Sequence, residues 1–471
     1  MKEFFKRIFS MFLAVVMLFG ITSVANVIFF DLLNINAEAT SAAISSGECG
    51  KNGNNVIWTL YDNGQLIISG TGEMEDGTNK MGHPLIGLSS ELMQEIETLY
   101  IEEGVTRIGD YAFRSFENLK EIIVHDEIQS IGKSAFEDTA YSKNENNWKN
   151  KALYLNNYLL GADIENITDT TYEISDGTVL IADSAFNALM YSDKIKSVII
   201  PDSVIHLGSQ VFNYCSALTN ISIGKGVKTI GEHIEWSCRN LQRIDVDKEN
   251  KYFYSDENGV LFNKDKTTLI KCPVDSVSEY NVPDTVTEIS DFAFGIRNGN
   301  NDMIETISIP NSVKIIGKSA FENCCSLKEI SIPNSVTKIE GWTFSGCTAL
   351  SSVIIPESVT SIGGSAFRDS ENLQYIHIPD SVTSIEADGV SGNKNILSGT
   401  SAYICSDTED CYAKTYANEN DIEFKVCDNH SEECECSCHD SGILGIFYRI
   451  LLFFQSLFGI NKTCSCGIAH Y

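Results

Sequence analysis

Basic residues are in short supply: 34 Lys and Arg stand against 64 Asp and Glu, for a formal net charge of −30. Nucleic-acid binding needs Lys and Arg clustered against phosphates, so that class is excluded. The acidic side chains are spread along the chain rather than gathered in a tail, which reads as solubility. Proline is scarcer still, 8 in 471 residues beside 34 glycines, and a collagenous or proline-rich chain is ruled out. Fifteen cysteines are too few to staple a chain of this length. Signatures of catalysis are missing too: there is no Gly-x-Ser-x-Gly, no His-Glu-x-x-His and no Gly-x-x-x-x-Gly-Lys-Ser/Thr. Histidines are scattered, with His206 and His233 falling at expected surface positions, and 256–259 is too short for a calcium loop. Apolar residues, in contrast, make up 43% of the chain, enough to bury a large core and to exclude wholesale disorder.

Both ends differ from the middle. Lys2, Lys6 and Arg7 precede an apolar run over 8–19, and Ala37-Glu38-Ala39 supplies a small-x-small cleavage pattern. Residues 1–39 are therefore expected to be a secretory signal peptide. A retained transmembrane helix is the competing reading, because apolar residues resume over 24–30. Near the other end, Cys434, Cys436, Cys438 and His439 precede an apolar run over 443–460, and Cys464, Cys466 and His470 follow it. These are zinc-ligand types, but Cys-x-Cys-x-Cys lacks the usual gap, and disulfides between the two clusters fit equally well. The run itself can contact a membrane or envelope, pack on protein, or belong to a removed tail.

From 99 to 386 the sequence repeats itself, and the period decides the fold. Pro310, Pro333, Pro356 and Pro379 are 23 residues apart, as are Ile316, Ile339, Ile362 and Ile385. Phe321, Phe344 and Phe367 keep the same step, and so do Leu327, Leu350 and Leu373. Earlier copies are looser: 195–217 carries Ile-Pro-Asp-Ser-Val followed by Val211-Phe212 and Cys215, and the next copy reaches Cys238. Within a copy, Leu327, Ile330 and Ile332 have the spacing of a short strand with one face inward. Pro333 lacks an amide hydrogen and ends that strand. Ser335 can bond the turn backbone of its own or a neighbouring coil, and Val336 and Ile339 point back inside. Ala320-Phe321 then make one helical or 3-10 turn on the convex side. A single copy orders far more backbone than its few apolar side chains can offset, so copies must stack. The expected fold is α/β: a solenoid with a parallel β-strand face, short helical or 3-10 turns on its convex side, and a small N-terminal β cap.

The cysteine column admits two readings. Cys215 and Cys238, like Cys324 and Cys347, are 23 residues apart and stand in adjacent coils within disulfide reach. Thr139, Leu189 and Ser370 occupy the same column, which favours buried thiols in a small slot, with inter-coil disulfides as the alternative. Expanded copies at 139–172 and 247–277 carry hairpin signals, Ala152 to Leu160 and Gly259 to Ile270, expected to project from one edge.

These residues resemble the BspA-type leucine-rich-repeat family of bacterial surface proteins, whose unit is similar to Leu-x-x-Ile-x-Ile-Pro-x-Ser-Val-x-x-Ile-Gly-x-x-Ala-Phe-x-x-Cys. The likeness covers 99–386. Val56-Ile-Trp58-Thr-Leu60 and 64–72, joined by Asp62-Asn63-Gly64, resemble the small β segment that opens such proteins, and 413–424 resembles their closing helix and strand. The expected organisation is therefore signal peptide 1–39, β segment and linker 40–98, leucine-rich-repeat solenoid 99–386, cap 387–427 and Cys/His-rich tail 428–471. The resemblance implies a secreted or surface-attached bacterial protein linked to adhesion and co-aggregation, with a protein ligand on the host matrix or another surface. No cofactor is expected apart from zinc in the tail. A structural or assembly role at the cell surface is the alternative, and an unseen enzyme a distant third. Outward strand positions should line the sheet face, and Arg243, Asp245, Ile354, Tyr375 and His377 are the candidate binding residues, because aromatics and arginine anchor interfaces.

Overall fold

The computed structural model describes residues 41–426 apart from 79–82, 168, 188–193, 236, 298, 388–394 and 410. The expected signal segment and the Cys/His-rich tail, with its candidate ligands Cys434, Cys436, Cys438, His439, Cys464, Cys466 and His470, lie outside the described residues. The chain divides into two units, 1–162 with 180–185, and 163–179 with 186–471.

The first unit opens on antiparallel strands, Ala43–Gly50, Gly53–Tyr61 and Gln65–Gly70. The turn at 62–64 works because Gly64 takes φ +77°, and its amide donates to the Tyr61 carbonyl at 3.1 Å. A side chain there would also run into the Glu95 carbonyl. Alternate residues Val56, Trp58 and Leu60 are buried. Parallel pairing begins where Thr98–Ile101 joins Gln65–Gly70, with Leu99 beside Leu66, and Glu121–Val124 follows with Ile122 beside Leu99. An apolar row is thus passed from the antiparallel segment into the coils.

In the second unit each coil adds one strand to a parallel ladder. Thr171–Glu173, Ser197–Ile200, Asn220–Ile223 and Arg243–Val246 pair in register, and their inward residues Tyr172, Val198, Ile221 and Ile244 are buried. In the later coils prolines follow the strands, and their carbonyls start the next turn: Val336 donates to Pro333 at 3.0 Å and Val359 to Pro356 at 3.0 Å. The serine column bonds the neighbouring coil, Ser358 to the Val336 carbonyl at 2.6 Å and Ser381 to Val359 at 2.8 Å. A second, unanticipated ladder of two-residue strands runs beside the first, Lys338–Ile339 to Ser361–Ile362 to Ser384–Ile385.

The convex turns are not helical. Ser319, Trp342 and Ser365, each two residues before the phenylalanine, have φ between 56° and 63°. Asn323, Gly346 and Asp369, two residues after it, are also left-handed, with φ between 56° and 71°. A left-handed residue every fourth position cannot continue a right-handed helix. The freed amides turn to the next coil instead: Phe321 donates to the Thr343 carbonyl at 2.9 Å and Phe344 to Ala366 at 2.8 Å. Phe294, Phe321, Phe344 and Phe367 stack with centroid separations of 5.2, 5.3 and 5.4 Å.

The cysteine column holds free thiols. Each is buried and donates to the phenylalanine carbonyl of the preceding coil, Cys215 to Phe186 at 3.2 Å, Cys238 to Phe212 at 3.0 Å and Cys347 to Phe321 at 3.2 Å. Ser370 does the same to Phe344 at 2.9 Å. In these coils the slot holds a small donor rather than a small hydrophobe alone.

The two hairpins do not project. Ala152–Leu155 with Tyr158–Ala162, and Leu261–Asn263 with Thr268–Lys271, pair antiparallel as expected. The second strand of each then takes a place in the second ladder, beside Leu180–Ile181 and Glu288–Ile289 respectively. Burial of Leu159 and Leu269 draws those strands inward. After the last repeat, the helix Tyr412–Glu419 buries Ala413, Tyr416 and Ala417, and Phe424–Val426 pairs with Tyr403–Ser406 to close the sheet.

Candidate functional site

The outward strand positions form two columns in the second unit. Thr171, Ser197, Asn220 and Arg243 lie side by side, as do Glu173, Ile199, Ser222 and Asp245. Period-two alternation in the sequence is enough to place them there. Ile199 is the most exposed apolar residue of the two columns at 37%. Arg243 and Asp245 meet in a two-pronged pair, Nη2 to Oδ1 at 2.7 Å and Nε to Oδ2 at 3.3 Å. Nη1 also donates to the Glu257 carbonyl at 3.1 Å, which ties the strand to the loop of the expanded coil. Hydrogen bonding to Asp245, then its charge, holds the Arg243 guanidinium further above its ordinary value. The pair is half exposed and presents a neutral, prearranged donor and acceptor to anything laid on the face.

Ile354 stands where expected, half-buried beside Tyr375's strand, in register with His377. Tyr375 and His377 do not form an exposed patch. Both are only 3% exposed. The strand Tyr403–Ser406 pairs alongside them, the Tyr403 ring stacks on Tyr375 at 5.7 Å, and Asp407 reaches His377 Nε2 at 3.2 Å. Repeat periodicity ends at 386; the expected cap over 387–427 implied a cover for the last coil, but not the strand at 403–406 that buries these two residues.

A polar site inside the second unit escaped the sequence reading. Glu235 and Lys271 form an ion pair at 3.2 Å with side chains 10% and 7% exposed. Lys271 Nζ also donates to the carbonyls of Phe292 at 2.9 Å and Gly295 at 2.8 Å, so its three donors are filled. A pocket beside the pair is lined by His233, Ser237, Phe292 and Arg297. Burial lowers the His233 imidazole and raises the Cys238 thiol, and Ser237 donates to the Arg297 carbonyl at 2.7 Å. The missed signal was simple. Glu235 is 23 residues after Phe212 and occupies the phenylalanine column. His206 and His233, read as surface residues, are both half-buried, with His206 Nδ1 hydrogen-bonded to Thr229 Oγ1 at 2.9 Å.

Among the described residues no group of three His, Cys, Asp or Glu could hold a metal ion, and no helix is long and apolar enough to cross a membrane.

Residues 91–173, 180–257 and 270–397 match the BspA type leucine rich repeat region, in six copies. This is more than half of the chain, which therefore belongs to the BspA-type leucine-rich-repeat family. None of the curated proteins compared with the chain matches it. Among solved structures, it is similar to a leucine-rich repeat protein from Eubacterium ventriosum, 25% identical over 76% of this chain and 95% of that one, with a TM-score of 0.38. The pneumococcal vaccine antigen PcpA is 20% identical over 79% and 97%, TM-score 0.47. A leucine rich cell surface protein from Faecalibacterium prausnitzii is 21% identical over 83% and 97%, TM-score 0.43.

Proposed function

We propose that this is a secreted or surface-displayed binding protein, an adhesin, whose ligand is another protein laid across the outward columns of the parallel ladder. One observation carries the reading. The ladder face at 171–246 combines an exposed apolar side chain, Ile199, with the prearranged pair Arg243–Asp245 on a backbone fixed by in-register pairing. Rigid presentation lowers the ordering cost of binding, and an apolar residue beside a charged pair gives both anchoring and register. The small Ser197, Asn220 and Ser222 between them let a partner's backbone approach. Family membership supports a role at the bacterial surface, and the binding reading needs no reacting group at the face.

The test is capture of host-matrix or bacterial surface proteins by the full chain, repeated with Ile199→Lys combined with Arg243→Glu. Capture should fall at least about tenfold with no change in thermal stability, a loss of about 1.4 kcal/mol. Undiminished capture would remove this face from consideration. Fractionation of expressing cells should place the protein outside the cytoplasm.

A further inference from the structure

We propose that the expanded coil at 247–277 is a seam along which the second unit opens, so that the coils before and after it unfold as separate cooperative blocks latched by Glu235 and Lys271. Three kinds of continuity end there together. Phe186 and Phe212 meet at 5.4 Å with their ring planes tilted by 43°, but the next two places in the column are taken by Glu235 and Cys272. Cys272 is assigned by its bond to the Ala293 carbonyl at 2.7 Å, which repeats that of Phe294 to Ala320 at 2.8 Å. Ring stacking resumes only at Phe294 and Phe321, 5.2 Å apart. Both ladders stop as well. Arg243–Val246 is the last strand of its sheet and Glu279–Asn281 opens another, while Thr229–Ile230 and Thr268–Lys271 belong to different sheets. Finally, among the described residues, one apolar cluster extends from Val260 to Ala417 and takes in none of the buried residues between 195 and 244.

Among the described residues what crosses the seam is largely polar, apart from the edge-to-face contact of His233 with Phe292 at 4.8 Å. Ile244 donates to the Gly259 carbonyl at 3.1 Å, Asp275 to Leu241 at 2.9 Å, Val246 to Ser255 Oγ at 2.9 Å, and Asn250 Nδ2 to the Gly224 and Val227 carbonyls, both at 3.0 Å. Water replaces such bonds when the seam opens, whereas it cannot replace apolar packing, so separation costs least here. The contrast lies further along. The ladder also lapses between Glu329–Ile330 and Ser352–Ile354, but there Phe321 and Phe344 remain stacked at 5.3 Å and the apolar cluster is unbroken. A coil lapse alone does not make a seam; the loss of the phenylalanine column does.

Hydrogen exchange of the full chain, followed by mass spectrometry across a urea series, tests this. Amides of Asn220–Ile223 should lose protection at a lower urea midpoint than those of Thr306–Ser308. In Glu235→Leu combined with Lys271→Met, which fills the gap with apolar volume, the two midpoints should draw together. Coincident midpoints in the unaltered protein would overturn the seam whether or not the variant folds. Separate midpoints that the folded variant leaves unmoved would overturn the latch.

Discussion

Phe344 lies between two other rings, Phe321 at 5.3 Å and Phe367 at 5.4 Å, and has no exposed surface. Its replacement by alanine should cost about 3–5 kcal/mol in urea unfolding, because both neighbouring coils lose their packing. Glu235 stands in the same column and should behave in the opposite sense. Replacing it and Lys271 together by Leu and Met should be neutral or stabilising, by up to about 4 kcal/mol, since a buried pair pays desolvation that apolar residues do not. Removing Lys271 alone should be strongly destabilising, which distinguishes the pair from a surface contact. The thiols give a pH dependence. Burial raises Cys215 and Cys272 from 9.0 to about 12. Their protonated form is favoured by folding, so the stability they confer is complete below pH 9 and declines as pH rises towards 12. Denaturant midpoints measured from pH 8 to pH 11 should fall in the wild type, and fall less steeply in Cys215→Ser. Cys215 was legible in part: spacing located its column and favoured free thiols, but spacing alone says nothing of the carbonyl its sulfur faces.

The strands were easier to read than the turns, for a physical reason. An inward strand position must be apolar, and Ile339, Ile362 and Ile385 declare it. The left-handed positions two residues before the phenylalanine column carry Gln210, His233, Phe292, Ser319, Trp342 and Ser365, with no glycine among them. Nothing in such residues announces positive φ, so a helical turn was the natural expectation. Inter-coil bonds hold these residues against their preference. Gln210, at φ 52°, offers a test. Gln210→Val should be less stable than Gln210→Gly by about 1–2 kcal/mol in thermal unfolding, because only glycine occupies this conformation without a steric cost. If the two variants match, the turn has no such constraint. The hairpins show the same limit. Apolar stretches around a polar turn predicted both, yet only tertiary packing could draw their second strands into the ladder.

The coils gain their order from neighbours, and stability in such a chain is a sum of adjacent interfaces. The strict copies from 310 to 385 made this legible, because one period fixes every contact between neighbouring coils. The closing strand, Tyr403–Ser406, lies beyond the last copy, and it is the element that hid Tyr375 and His377. Alternation placed Arg243 and Asp245 on the outward face, while the buried pair at Glu235 and Lys271 stands where the phenylalanine column is interrupted, and the period of the repeat does not announce it. The most direct measurement is a pair of double-mutant cycles in urea unfolding. Phe321→Leu with Phe344→Leu should show a coupling of about 0.5–3 kcal/mol, and Phe294→Leu with Phe367→Leu, three coils apart, should be additive. Additivity in the first cycle, or equal coupling in both, would contradict a chain whose coils are held by their immediate neighbours.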